Sequence, residues 1–116
     1  MLSDYARSDY FSDDGIESKI SGYTDYSSQE ESLRRTAHRL LIQMSKRSMT
    51  GGELLEVGCG YGYFLAEART FFANCTGVDF SDTAVRHASF YTDKVYCGGI
   101  DSINKNDQFD TIVANH

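Results

Sequence analysis

No proline occurs anywhere in the 116 residues, and that absence by itself points to no function. Other shortages exclude more. Lysine and arginine never run longer than the pair Arg34-Arg35, and the formal charge is −6. Both facts argue against a phosphate-backbone footprint, and so against a nucleic acid as substrate. No apolar stretch approaches the roughly 18 residues of a membrane span. Met1 to Phe11 is acidic where a secretory signal would be basic and then apolar, so a cytoplasmic protein without membrane attachment is expected. Cysteine is sparse and odd in number. Cys59, Cys75 and Cys97 lack CxxC spacing, which argues for reduced thiols and against a zinc site. The length suits one domain with one core.

What the chain does have is a short apolar run, Leu54-Leu55-Glu56-Val57, that meets glycine at three alternate positions, Gly58, Gly60 and Gly62. The run predicts a strand over 53–57 buried on both faces, because a half-solvated strand would alternate apolar with polar. Glycines there let the backbone take positive φ and let a ligand or a helix approach closely. Phe64, Leu65, Ala68, Phe71 and Phe72 then follow with the spacing of one helix face. Strand, glycine turn and helix predict a nucleotide-type site, with free N–H groups and the positive end of the helix aimed above the turn.

Two cofactor classes use such a turn. A dinucleotide fingerprint requires a small residue at the sixth position from the first glycine, where this chain has Tyr63. Glu56, two residues before Gly58, would repel a pyrophosphate and suit the ammonium or sulfonium of an amino-acid-like ligand. Glu56-Val57-Gly58-Cys59-Gly60-Tyr61-Gly62 resembles the first motif of class I S-adenosylmethionine-dependent methyltransferases. Asp79, in Thr76-Gly77-Val78-Asp79-Phe80-Ser81, falls about 20 residues on, where a ribose-binding acid belongs in such folds. Phe109-Asp110-Thr111-Ile112-Val113-Ala114-Asn115 resembles the family's fourth-strand segment.

The resemblance covers about residues 53–116 and implies an α/β, Rossmann-like three-layer fold with a parallel sheet. It implies S-adenosylmethionine as cofactor and a small-molecule methyl acceptor as partner. The implied cofactor-binding residues are Glu56, Gly58, Cys59, Gly60, Gly62, Asp79, Phe80 and Ile100. Phe80 would lie against the adenine, and either Ile100 or Asp101 falls where the family places an adenine-binding acid. Cys59 is a small filler rather than a nucleophile, having no histidine partner in the motif. The family has about seven strands; four are found here, in the expected order 3-2-1-4. The chain therefore reads as the N-terminal half of a methyltransferase domain, truncated after the fourth strand and inactive alone, with any general base beyond His116.

Residues 1–28, rich in Asp, Ser and Tyr, read as an N-terminal arm, with Gly22-Tyr23-Thr24-Asp25-Tyr26 the candidate lid. Residues 29–116 form the cofactor-binding half. Ser27 with Glu30 and Ser28 with Glu31 have capping-box spacing, and Leu33, Ala37, Leu40, Leu41 and Met44 mark the inner stripe of a helix over 29–47. Thr50-Gly51-Gly52 is read as its breaker. Later strands are expected over 74–79, 94–98 and 108–115, with Ser81 capping a helix whose inner face is Ala84, Val85, Ala88 and Tyr91. His38, beside the stripe, is expected at the surface or its boundary, and His87, facing away from its helix's stripe, is expected to be solvated rather than catalytic. The alternative functions are a non-catalytic S-adenosylmethionine-binding or assembly module and, disfavoured by Tyr63 and Glu56, an NAD-dependent oxidoreductase.

Overall fold

The computed structural model describes residues 23–114, with side chains from Gln29 onward. Its elements are α1 Tyr23–Lys46, β1 Gly51–Val57, α2 Tyr63–Ala68, β2 Phe72–Asp79, α3 Asp82–Ala88, β3 Val95–Cys97, a 3-10 turn Ile100–Ser102, and β4 Thr111–Ala114. The strands form one parallel sheet in the order β3-β2-β1-β4. This is the order expected of a Rossmann-like fold. Helices connect parallel strands because a strand cannot return alongside its predecessor without a crossover.

β1 sits between β2 and β4, with Leu54 opposite Cys75 and Thr111 and Glu56 opposite Gly77 and Val113. One cluster then gathers Ala37, Leu41 and Met44 of α1, Phe64, Leu65 and Ala68 of α2, and Ala88 of α3 around Leu54, Phe72 and Cys75. The start of β4 is fastened by Asp110, whose N–H donates to Glu53 O and whose Oδ2 accepts from Glu53 N, both at 2.8 Å. That carboxylate lies over Gly52, in space a Cβ would need.

Several boundaries differ from the sequence expectation. α1 begins at Tyr23, so the two capping-box pairs lie inside the helix, which includes residues 23–28 of the expected arm. Glu30 and Glu31 instead face down the helix to Arg34 at 3.2 Å and Arg35 at 3.6 Å, the i,i+4 pairing that helical spacing favours. The lid candidate consequently falls mostly on the first turn of α1, and Gly22 with the earlier tyrosines lies outside the described residues. Leu40 belongs to the outer side of the helix, 45% exposed.

The glycines at 51 and 52 do not end α1; they open β1. The helix closes two residues earlier through Ser48, at φ 58°, with Ser48 N donating to Ser45 O and Met49 N to Met44 O. This paired capping pattern satisfies the last carbonyls and usually employs glycine. α2 is also shorter than its apolar spacing implied, because Phe71 turns the chain and Phe72 enters β2. Gly51 N donates to Phe71 O at 2.8 Å, so the sheet captures residues that helical periodicity had claimed. Phe72 remains in the core, reached from a strand.

Two glycines mark close approaches. Gly77 leaves room on β2 for Leu65 and Cys59, whose nearest atoms would stand 2.7 and 2.9 Å from an added Cβ. Gly62, at φ 90°, lets α3 come down on the glycine turn: a Cβ there would lie 2.8 Å from the Cα of Ala88. Gly51 also has a positive φ, 104°, but open space around it. Gly51→Ala incurs backbone strain alone, whereas Gly62→Ala adds a collision with backbone. Gly62→Ala should therefore lower urea-unfolding stability by about 1–3 kcal/mol more than Gly51→Ala; equal losses would show that α3 shifts freely off the turn.

Candidate functional site

The carboxyl ends of β1 and β2 lie side by side, Val57 opposite Val78, and the chain turns sharply after each. Gly58, Gly60 and Gly62 take φ of 76°, 56° and 90°, values that side chains with a Cβ adopt only at a cost. The segment coils back over β2, and four of its amides point inward. Gly58 N and Cys59 N both donate to Val78 O, at 2.9 and 3.0 Å. Gly60 N donates to Asp79 Oδ2 at 2.9 Å, and Gly62 N to Cys59 O at 3.0 Å. The expectation that free amides would rise from this turn toward a ligand is thus corrected for these four positions. What the turn offers there is a close backbone surface without side chains.

Asp79 ends β2 only 9% exposed. Its second oxygen, Oδ1, accepts from Ser81 N at 2.9 Å. Ser81 Oγ in turn accepts from Ala84 N at 3.2 Å, which caps α3 as the sequence indicated. Each carboxylate oxygen has about two acceptor sites, so both retain capacity for another donor. Glu56, 1% exposed, lies on β1 between Gly77 and Val113. Two acidic side chains thus flank the turn from adjacent strand ends.

Cys59 is buried within the turn, its Sγ 3.7 Å from Gly60 O. Burial above all, then the charges of Glu56 and Asp79, push its thiol far above the ordinary range. The protonated thiol is the form this position favours. Burial followed by the charge of Glu56 pushes Cys75 up to about 11. Cys97 is exposed at the end of β3, its Sγ 3.5 Å from Phe80 O.

Beyond Asp79, Phe80 is 79% exposed and Ile100 57%. Phe80 reaches over Gly99, where an added Cβ would stand 3.2 Å from Phe80 Cζ and 3.4 Å from Asp101 Oδ1, and Ile100 follows Gly99 in the chain. Ile100 and Asp101, the two alternatives after β3, are both exposed at this corner. The structure therefore brings Glu56, Gly58, Cys59, Gly60, Gly62 and Asp79 together, with Phe80 and Ile100 beside them at the β2/β3 end. His116 lies outside the described residues.

Sequence reasoning missed two contributors. Gly77 escaped because a glycine inside a strand gives no sign of which helix needs its space. His87 is half-buried rather than solvated: its ring stacks on Tyr61 with centroids 4.7 Å apart and planes at 18°, and its Nδ1 lies 3.0 Å from Tyr61 O. The signal was present in its i+3 spacing from the buried Ala84, which puts both on one flank of α3. His38 is largely exposed as expected, though its ring meets Phe71 edge-on at 5.7 Å. Among the described residues no cluster of three or more His, Cys, Asp or Glu could hold a metal ion, and no helix is long and apolar enough to cross a membrane.

A parallel sheet in the order β3-β2-β1-β4, with a glycine turn after its first strand and an acid at the end of its second, defines a Rossmann-like fold. The family model described as "Methyltransferase domain" matches residues 29–116, and the chain belongs to that family. No curated protein matches significantly. Among solved structures, the chain is similar to the S-adenosylmethionine-bound amino pentose methyltransferase CalS10 of Micromonospora echinaspora. That match has a TM-score of 0.62 and 19% identity, over 78% of this chain and 40% of CalS10. It is also similar to an S-adenosylmethionine-dependent methyltransferase of Clostridium acetobutylicum, with a TM-score of 0.58 and 19% identity, over 79% of this chain and 43% of that one. The plantazolicin methyltransferase BpumL, solved with S-adenosylhomocysteine, matches with a TM-score of 0.57 and 20% identity, over 97% of this chain and 44% of its own. The chain thus spans less than half the length of these structures, and at such identities the likeness is one of fold.

Thiol chemistry checks the site's packing. At pH 8 an alkylating reagent should label Cys97 quickly and Cys59 and Cys75 only after unfolding, as read by peptide mass spectrometry. The raised pKa of Cys75 means the fold favours the protonated thiol. That contribution to stability is intact below its ordinary 9.0 and is lost as pH rises through 9 toward 11.

Proposed function

We propose that this chain binds S-adenosylmethionine and forms the cofactor-binding part of an enzyme that methylates a small-molecule acceptor. The observation that carries the reading is the inward direction of the Gly58, Cys59, Gly60 and Gly62 amides. A pyrophosphate bound in the dinucleotide manner needs backbone N–H groups aimed at it. Here they are spent within the chain, and Tyr63 occupies the position that a dinucleotide turn keeps small. A cofactor without phosphates needs only the close approach of bare backbone.

The remaining groups fit that ligand's chemistry. Asp79 would accept the two ribose hydroxyls with the capacity left after Gly60 and Ser81. Glu56 would favour the positively charged methionine end from its buried position. Phe80 and Ile100, both apolar and exposed beside Gly99, would cover the adenine faces, and Asp101 is near enough to that corner to meet the exocyclic amine. The bound group supplies an electrophilic methyl on a sulfonium. For such a transfer the protein's task is largely alignment and exclusion of water. An acceptor of small-molecule type is in keeping with the amino pentose of CalS10 and with KedS8, a sugar N-methyltransferase matched at a TM-score of 0.53 and 22% identity. BpumL acts on plantazolicin, so acceptor chemistry varies within this fold.

Calorimetry tests the reading directly. The chain should bind S-adenosylhomocysteine, and NADH should not compete. Asp79→Ala should weaken binding at least tenfold, because each lost hydrogen bond to a charged acceptor is worth roughly 1.5–3 kcal/mol. Unchanged affinity would reject the ribose role. Glu56→Gln should weaken S-adenosylmethionine more than adenosine, and equal losses would reduce Glu56 to a structural part of the turn. Binding without turnover of any sugar, peptide or small-molecule acceptor would favour the module alternative.

A further inference from the structure

The peptide between Tyr61 and Gly62 has one polar group held within the glycine turn and the other held by the neighbouring helix. Its N–H donates to Cys59 O at 3.0 Å, inside the turn. Its C=O faces α3, 3.0 Å from His87 Nδ1. A planar peptide turns as a unit, so rotating it breaks both contacts. Rotation is otherwise sterically cheap, because Gly62 tolerates φ of either sign. The bond to Cys59 O holds the peptide from within the turn, and the contact with His87 adds a second hold from outside it.

We infer that His87 is a positioning residue for the cofactor: it locks the Tyr61–Gly62 peptide, and with it the surface of the glycine turn, from the last turn of the neighbouring helix. The inference rests on the cofactor reading above. His87 is well placed for this work. Gly62 lets the backbone of Ala88, the next residue, come into contact with the turn, and the Ser81 cap fixes the helix start. The imidazole lies flat on the Tyr61 ring and meets Tyr63 edge-on at 5.8 Å and 87°, so its own rotamer is held by aromatic neighbours. A carbonyl oxygen can only accept, so Nδ1 must carry the proton. That is the tautomer a free imidazole in water disfavours, and its presence would report the contact.

The test uses the full chain and S-adenosylhomocysteine as probe. His87→Phe keeps a ring to stack on Tyr61 and removes the donor; His87→Asn keeps a donor at nearly the Nδ1 position and removes the ring. The expected result is about tenfold weaker binding for His87→Phe, as the competent turn becomes a minor population, and binding within about threefold of the parent for His87→Asn. A role in packing alone would reverse that order. Nitrogen-15 NMR of the ligand-free chain should place the His87 proton on Nδ1. Parental affinity in His87→Phe, weaker binding by His87→Asn than by His87→Phe, or a proton on Nε2 would each overturn the inference, and the NMR result holds even where a variant does not fold. Failure of the parent chain to bind S-adenosylhomocysteine refutes the cofactor reading and this inference with it. A parent that binds alongside an unaffected His87→Phe refutes this inference alone.

Discussion

The Asp79 carboxylate takes the amide of Gly60 on one oxygen and that of Ser81 on the other, and the architecture above the sheet depends on this bridge. One side chain thereby joins the turn after β1 to the chain leaving β2. Gly60 is buried, so its amide would lack an acceptor without Asp79, at a cost of about 1–3 kcal/mol. The same geometry starts α3 at a defined point, since Ser81 is both Asp79's donor and the helix cap. A charged group that shapes the turn and still has acceptor capacity does not need to move when a ligand arrives.

Around this bridge the helices are held mainly by apolar burial, with polar ties at the rim. Arg34 of α1 reaches Glu67 of α2 at 2.7 Å as well as Glu30 on its own helix. Tyr91, just past α3, receives Arg34 and Arg69 over its ring at 5.7 and 5.4 Å. Hydrogen bonding to Glu67 raises the Arg34 pKa, and burial raises that of Tyr91. Ion pairs as exposed as these contribute little, about 0–1 kcal/mol. Their effect is to fix which faces of α1, α2 and the post-α3 segment meet, while Leu41, Leu54 and Leu65, fully removed from solvent, supply the cohesion.

The parallel order, the strand at Leu54 to Val57 and the Ser81 cap were legible in the sequence because each rests on local chemistry: burial on two faces, or a hydroxyl three residues before a free amide. The ends of α1 and α2 were not. At Ser27 and Ser28 two capping signals lost to a helix already under way, and at Phe71 and Phe72 a helical period lost to pairing with Gly51 across the sheet. Both contests are decided by partners distant in sequence. Within the site the acids and glycines could be named from spacing, whereas the direction of the turn's amides could not. That direction depends on Val78 O and Asp79 Oδ2, whose positions relative to the turn exist only once β1 and β2 pair. Gly77 and His87 were hidden for the same reason, since each serves a neighbour that the strand register brings to it.

The near-contact of Gly62 with Ala88 joins two places 26 positions apart into a single unit of variation. A larger side chain at either would have to lift α3, and lifting α3 would carry His87 away from Tyr61 O on the turn and pull Ser81 from Asp79 at the end of β2. Substitutions across this seam should then be strongly non-additive, as expected of residues sharing one contact. In sequences diverging from this one, smallness at 62, smallness at 88 and the cap at 81 would be kept or exchanged together, so this corner of the fold can drift only by coordinated steps.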